Sequence, residues 1–138
     1  KMVRPIAISI IKKNQSILVY QRVDDVTGEK FYRLVGGGIE FGEASSVALK
    51  REFEEELSIE IQNKKLLSIF ESIFTFNSKE MHEVVFLYSS EFKDKRNYNK
   101  SIINGLEGTM AFEATWIPIS DFLNHKYRIY PEEIIEYL

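Results

Sequence analysis

The chain of 138 residues has no cysteine, no long hydrophobic run and no excess of basic residues, and each absence excludes a class of function. Without cysteine there is no thiol nucleophile, no zinc–thiolate site and no disulfide framework. No apolar stretch approaches the roughly 20 residues of a membrane-spanning helix, and the amino-terminal residues lack a signal-peptide pattern. The formal charge of −3 gives no basic footprint for duplex nucleic acid or an anionic membrane. These absences predict a soluble cytoplasmic protein.

The residues that are present predict one globular domain spanning residues 1–138. The content is 44% apolar and 13% aromatic, which suffices to bury a core without disulfides or a structural metal. The sequence contains no internal repeat, no low-complexity tract and no linker that would divide the chain.

Segments rich in β-branched and aromatic residues alternate with polar turns and predict strands. We expect hairpins around Lys13–Gln15 and Asn77–Glu80, an irregular segment over Lys93–Thr109, and a short terminal helix beginning at Pro131. The strands are predicted at Val3–Ile11, Ser16–Val23, Phe31–Val35, Lys65–Phe76, Met81–Phe92 and Ala114–Pro118. The order β, β, β, α, β, β, β, α predicts an α/β fold with a mixed sheet and helices packed on it.

The most specific feature is a glycine-rich turn, Gly36-Gly37-Gly38, followed by an acidic segment predicted to be helical from about Glu43 to Ser58. In such a helix Glu52, Glu55 and Glu56 stand at i, i+3 and i+4 and converge on one side, where like charges repel by roughly 0.2–0.5 kcal/mol per pair. An ordinary solvated acidic face is the alternative. The glycine turn favours a site, because it lets the main chain approach a ligand closely, and Mg²⁺ prefers carboxylate oxygens shared with substrate phosphates.

Residues 37–59 resemble the Nudix box: a glycine, five residues, a glutamate, seven residues, Arg-Glu, an apolar residue, any residue, Glu-Glu, any residue, glycine and an aliphatic residue. Its positions are occupied here by Gly37, Glu43, Arg51-Glu52-Phe53, Glu55-Glu56 and Ile59. The one break is Ser58, where the family has glycine at the helix end. The resemblance implies a MutT-like Nudix hydrolase with a Nudix-type α/β/α sandwich that carries the box on a loop and helix.

The resemblance also implies a reaction, a cofactor and a set of site residues. The reaction is hydrolysis of the diphosphate linkage in a nucleoside diphosphate derivative, such as a nucleoside triphosphate, ADP-ribose or a nucleotide sugar, with Mg²⁺ or Mn²⁺. The expected metal ligands are Glu52, Glu55 and Glu56, completed by the Gly37 carbonyl and Glu40. Arg51 is expected to orient the catalytic acids and to pair with Glu43. The general base stays open among Glu52, Glu55 and a loop acid such as Glu113.

The substrate side of the site is less specified by the sequence. Arg22 and Arg33 could contact phosphates or a base, and Tyr32 could stack on a nucleobase, with core packing as its alternative. The expected partner is a small nucleotide, without duplex nucleic acid or a membrane, and a homodimer stays open. A nucleotide-sensing Nudix module without catalysis and an RNA 5′-end pyrophosphohydrolase are the alternative functions, although the latter would need a basic surface that this chain lacks.

Overall fold

The computed structural model describes residues 1–138, which form eight strands, two α-helices and two 3₁₀ helices. The α-helices are α1 (Ser45–Leu57) and α2 (Ile119–Leu123), and the 3₁₀ helices span Lys95–Asn99 and Glu132–Tyr137. The strands are β1 (Val3–Lys13), β2 (Ser16–Val23), β3 (Lys30–Arg33), β4 (Gly36–Gly38), β5 (Ile61–Phe76), β6 (Lys79–Phe92), β7 (Ile102–Glu107) and β8 (Met110–Pro118). None of the helices has both the length and the apolar character needed to cross a bilayer.

The strands form a mixed sheet in the order β5-β6-β1-β2-β8-β7. Strand β1 runs parallel to β6, and every other pairing is antiparallel. Strands β1 and β2 pair only where they meet at the hairpin, through Lys12 with Ile17 and Lys13 with Ser16. Beyond that point they diverge, and the chain segment carrying β3 and β4 fills the gap, with β4 on β1 and β3 on β2.

Helices cover both faces of the sheet. In β1, alternate residues point to opposite sides, so Ala7 and Ile11 enter one buried cluster while Ile6, Ile8 and Ile10 enter another. The first cluster contains the apolar stripe of α1, and the second contains side chains of α2 and of the carboxy-terminal 3₁₀ helix. This arrangement confirms the predicted fold class, a mixed sheet with helices packed on it.

Several predicted boundaries were wrong. The helix α1 begins at Ser45 rather than near Glu43, and Gly36–Gly38 forms a short strand rather than a free turn. The segment Lys93–Thr109, predicted to be irregular, contains a 3₁₀ helix and strand β7. That strand escaped prediction because Asn104 and Gly105 interrupt its apolar residues. Gly105 packs closely there, since a Cβ would lie 2.3 Å from the ring of Phe112 on the neighbouring strand.

Candidate active site

A cavity of about 490 Å³ opens where strands β1 and β2 diverge. The carboxylates of α1 form one wall, and strands β1, β2, β3 and β6 supply the opposite wall. The hairpin joining β7 and β8 borders the opening through Leu106, Glu107 and Gly108. Five carboxylates and three guanidinium groups therefore face one space: Glu52, Glu55, Glu56, Glu83, Glu107, Arg4, Arg22 and Arg33.

Helix α1 is oriented by its apolar stripe, which fixes where its acidic side points. Leu49, Phe53 and Leu57 are buried in the core cluster at i, i+4 and i+8. The helix ends at Ser58, whose backbone is left-handed at φ 57° and whose N–H bonds to the Glu54 carbonyl at 3.0 Å. With the stripe packed on the sheet, the acidic side faces the cavity beside Gly37, where a Cβ would lie 2.5 Å from the Glu52 carboxylate.

Glu56 is the acid of the site whose buried carboxyl oxygen lacks a hydrogen-bond partner. It is buried, and its Oε1 atom is the only buried side-chain oxygen or nitrogen in the structure without a hydrogen-bond partner. Burial, with the neighbouring carboxylates of Glu52, Glu107 and Glu55, raises the pKa of Glu56 to about 9. An unpaired buried carboxyl is costly unless a ligand satisfies it, so the geometry provides an attachment point for a cation.

Arg51 connects the box loop, residues 39–44 between β4 and α1, to the acidic helix. Its guanidinium donates to both carboxylate oxygens of Glu43, at 2.7 and 2.8 Å, and to the Gly38 carbonyl at 2.9 Å. It also donates to Glu52 Oε1 at 2.8 Å and to Glu55 Oε2 at 3.2 Å. The hydrogen bonds from Arg51 hold the pKa of Glu43 at about 2, and the same pairing raises the pKa of Arg51. This bidentate pair folds the loop back against the second turn of the helix.

Guanidinium groups line the sheet side of the cavity. Arg33 Nη2 donates to Glu83 Oε1 at 3.0 Å, and Arg4 Nη1 lies 3.9 Å from Glu83 Oε2. Arg22 Nη1 lies 3.7 Å from Glu107 Oε1, across the cavity opening. Positive groups on the strands thus face negative groups on the helix, which suits a ligand that is anionic and accompanied by cations.

The structure brings together some of the residues that the sequence singled out. Six of them line the cavity, namely Glu52, Glu55, Glu56, Gly37, Arg22 and Arg33. Arg51 and Glu43 do not line it, but they are bonded to each other and Arg51 bonds to Glu52 and Glu55. Glu40 lies outside the cavity, 72% exposed and 3.9 Å from Arg51. Tyr32 also lies outside it, with its ring edge-on to Phe122 and Tyr127. Glu113 faces a different depression, formed by β2, β8 and the β5–β6 turn.

Two cavity acids were missed by sequence reasoning, namely Glu83 and Glu107. Glu83 lies next to His82 near the start of the predicted strand Met81–Phe92, and alternation along β6 places the two side chains on opposite faces. Glu107 lies in the segment predicted to be irregular. Only the hairpin β7–β8 brings it to the cavity, and no local pattern in the sequence indicates that hairpin.

The residues at the end of α1 fit a hard divalent cation. Carboxylate oxygens are the ligands that Mg²⁺ and Mn²⁺ prefer, and Glu56 Oε1 offers one without any competing partner. In the structure Glu52 and Glu55 are turned toward Arg51, and no three acidic or histidine side chains converge closely enough to form a complete ligand set. Glu56 is therefore the best-placed single ligand, with Glu52 and Glu55 within the same wall.

Comparisons with known proteins agree with this fold. Residues 2–138 match the family model described as the NUDIX domain. The fold resembles a NUDIX hydrolase from Nitrosomonas europaea at 18% identity and a TM-score of 0.70, over 98% of this chain and 85% of that one. It also resembles the MutT protein of Bacillus halodurans at 17% identity and a TM-score of 0.66, over 97% of this chain and 80% of that one. The MutT protein of Methanosarcina mazei matches at 17% identity and a TM-score of 0.63, over 99% of this chain and 93% of that one. No curated protein sequence is detectably similar to the chain.

Proposed function

Because this chain belongs to the Nudix family of hydrolases, we propose that it cleaves the diphosphate linkage of a nucleoside diphosphate derivative and requires Mg²⁺ or Mn²⁺. The observation that carries the proposal is the cavity itself, with buried Glu56 and its unpartnered oxygen on one wall and Arg22 and Arg33 on the other. A carboxylate-lined wall binds a dense anion only when cations stand between the two. A diphosphate supplies that anion.

The proposed ligands are Glu56, Glu52 and Glu55, with the Gly37 carbonyl completing the set. A bound divalent cation would neutralise the diphosphate and lower the pKa of water. The exposed position of Glu40 favours a role in the box loop, since Glu43 Oε1 accepts a hydrogen bond from the Glu40 N–H at 3.1 Å.

The remaining roles follow from contacts within the chain. Arg51 binds Glu52 and Glu55 and thereby orients two of the three carboxylates on the helix. The group that accepts the proton from the attacking water is a cavity carboxylate: Glu52, Glu55 or Glu107. We favour Glu107 over Glu113 as the loop acid, because Glu107 borders the cavity and Glu113 does not. Arg22 and Arg33 bind phosphate oxygens on the strand side.

The proposal is tested by incubating the purified protein with Mg²⁺ or Mn²⁺ and a panel of substrates. The panel contains deoxynucleoside triphosphates, oxidised nucleotides, ADP-ribose, nucleotide sugars and dinucleoside polyphosphates, with release of phosphate, pyrophosphate or nucleoside monophosphate as the readout. We expect metal-dependent turnover of at least one compound. Glu56→Gln should lower kcat by about 100-fold or more, and Glu54→Gln, on the exposed side of the same helix, should not.

The panel also separates the alternatives. A sensing module would bind one of these compounds and leave it intact with either metal. A 5′-triphosphorylated RNA is added to the panel for the other alternative, because an RNA 5′-end pyrophosphohydrolase would turn over that RNA and none of the small nucleotides. Turnover that persists in excess chelator would contradict the metal requirement.

A further inference from the structure

Glu83 and Arg33 form a partly buried ion pair that lines the same cavity as the acids of helix α1. The side chain of Glu83 is 1% exposed and that of Arg33 is 17% exposed, with 3.0 Å between Oε1 and Nη2. On strand β6, Glu83 occupies the same face as the core residues Val85 and Leu87. Apolar side chains at such a position are often as stabilising as an ion pair, since both charges must be desolvated. Stability therefore does not explain the pair, and a role in the cavity does.

Glu83 is fixed from a second side. Arg4 lies directly opposite it in the parallel pairing of β1 with β6, with its Nη1 3.9 Å from Glu83 Oε2. The Arg4 guanidinium also lies close over Gly38, where a Cβ would be 3.2 Å from Nη2. The Gly38 carbonyl accepts a hydrogen bond from Arg51. The buried carboxylate is thus connected to the loop that carries the box.

Arg33 keeps most of its hydrogen-bonding capacity. Its bond to Glu83 engages Nη2, and a guanidinium has five N–H groups in a rigid fork. The guanidinium lies over the ring of Phe74, with Arg33 Cζ 5.9 Å from the ring centroid, and it borders the cavity. A fork held on one edge by a carboxylate and open on the other is suited to the oxygens of a phosphate group.

We propose, resting on the function proposed above, that Glu83 is a positioning residue: it holds the Arg33 guanidinium where that group binds a phosphate of the substrate, opposite the carboxylates of α1. Glu83 does not touch the reacting atoms and acts only through Arg33. Because Arg33 binds the phosphate before and during the reaction, the loss of either residue should weaken binding more than turnover.

The kinetic test uses Arg33→Gln, Glu83→Gln and the double variant on a substrate identified by the panel. Glu29→Gln is the matched control, since it breaks an Arg–Glu pair with Arg128 outside the cavity. We expect KM to rise about tenfold in both single variants, the size of one charge-assisted contact, with kcat changed by less than about threefold. The double variant should match Arg33→Gln alone, because the two residues act as one unit. A wild-type KM in Glu83→Gln, or multiplicative losses in the double variant, would overturn the proposal.

A binding test separates this inference from the proposed function. The probe is methylenediphosphonate, a diphosphate whose P–C–P link resists hydrolysis, titrated calorimetrically with Mg²⁺ present. We expect Kd to weaken about tenfold in Arg33→Gln and Glu83→Gln and to stay unchanged in Glu29→Gln. If no compound in the panel is hydrolysed yet this pattern holds, the inference stands and the proposed function fails. If turnover is found but Glu83→Gln binds the probe like wild type, the inference alone fails.

Folding is checked by the melting temperature of each variant. Should Glu83→Gln fail to fold, Arg33→Lys carries the same test, because lysine keeps the charge and loses the fork. KM for Arg33→Lys should then rise at least about threefold, and a wild-type KM would contradict the need for a positioned guanidinium.

Discussion

Glu56 combines a buried carboxyl, an unpartnered oxygen and three neighbouring acids, and this combination works against folding when no cation is present. We predict that Glu56→Gln raises the melting temperature of the metal-free protein by a few degrees at neutral pH, about 1 kcal/mol of stability. The reason is that glutamine fills the same volume without the penalty for a carboxyl whose pKa is raised by burial. Thermal unfolding in excess chelator provides the measurement.

Glu54→Gln is the matched control for this stability change. Glu54 is on the exposed side of α1, in a pair with Lys50 at 2.7 Å, and surface pairs of this kind contribute about 0–1 kcal/mol. Its removal should leave the melting temperature unchanged or slightly lowered. A stabilisation equal to that of Glu56→Gln would assign the effect to overall charge rather than to the buried group.

The pair Arg51–Glu43 connects the loop before helix α1 to the helix itself. The bidentate contact at 2.7 and 2.8 Å holds the loop against the helix, and Arg51 also binds Glu52 and Glu55. Arg51→Ala and Glu43→Gln should each lower metal-dependent turnover about 10–100-fold, the usual size for groups that orient metal ligands. The double variant should lose less than the product of the two single losses, because both residues fix one geometry.

A double-mutant cycle on kcat/KM measures this coupling, with melting temperatures recorded for each variant. The activity losses should exceed what the fraction of unfolded protein explains. Strictly multiplicative losses would show that the two residues act independently. Glu132→Gln, which removes a looser surface contact with Arg128 at 3.6 Å, should leave both quantities near wild type.

At this scale, the sequence predicts the acidic side of the site better than its other side. The three carboxylates of α1 and the Arg51–Glu43 pair follow from helical spacing and from the box, which are local patterns. Glu83 meets Arg33 across 50 positions of sequence, and Arg4 reaches it only through the parallel pairing of β1 with β6. Such contacts depend on strand order, which residue spacing does not specify.

Helix α1 ends at a serine rather than at a glycine. Ser58 occupies the left-handed conformation at φ 57°, where glycine carries no steric penalty. We predict that Ser58→Gly stabilises the protein by about 0.5–1 kcal/mol without changing turnover, because relief of the left-handed strain exceeds the added freedom of the unfolded chain. Chemical denaturation measures the change. Ser68→Gly, within extended strand β5, should instead destabilise it.

The buried side chain of Asp24 attaches the β2–β3 loop to the β5–β6 turn. Its Oδ1 accepts the N–H groups of Val26 and Thr27 at 2.8 and 3.0 Å, and its Oδ2 accepts that of Asn77 at 3.0 Å. These hydrogen bonds lower the pKa of Asp24. The largest contribution comes from the Thr27 N–H and the next from the Asn77 N–H. Asp24 thus joins two turns that lie far apart in the sequence.

Because the folded protein lowers this pKa, the stabilisation is complete above the ordinary pKa of aspartate and is lost as pH falls through the lowered value. We predict that Asp24→Asn lowers the melting temperature at pH 7 by on the order of 5 °C and by much less near pH 2. Asp25→Asn, at the exposed neighbouring position, is the control. An equal effect of Asp24→Asn at both pH values would show that the charge of Asp24 is not what the loop uses.

At the element scale, the strands of strong β-branched pattern were predicted and those of weak pattern were not. Val3–Lys13 and Ser16–Val23 have continuous runs of apolar residues and were found close to the predicted bounds. Strand β4 consists of three glycines, which carry no side-chain pattern at all. It forms because β1 has a free edge with which it can pair. The pairing is close enough to need glycine, since a Cβ at Gly36 would lie 2.1 Å from the Ala7 carbonyl oxygen. Tertiary pairing, rather than propensity, determines such a strand.

At the scale of the whole molecule, the cavity arises from the brief pairing of β1 with β2. Had the two strands paired along their full length, the segment carrying β3 and β4 could not lie between them, and Arg33 would not reach Glu83. Helix α1 closes the opening from one side, joined to the loop by Arg51. The site therefore draws on residues from most of the chain, and binding there should stabilise the whole fold.

Binding of a divalent cation at Glu56 should raise the stability of the folded protein. A ligand that binds only the folded state adds RT ln(1 + [L]/Kd), about 2.7 kcal/mol at a concentration 100 times Kd. Mg²⁺ near that concentration should raise the wild-type melting temperature by on the order of 10 °C relative to excess chelator. The shift should be nearly absent in Glu56→Gln, which lacks the unpartnered oxygen, and retained in Glu54→Gln and Glu83→Gln, whose changed groups lie on the exposed helix face and on the strand wall. A full shift in Glu56→Gln would show that the cation binds elsewhere. No shift in the wild type would contradict the proposal that Glu56 binds a divalent cation.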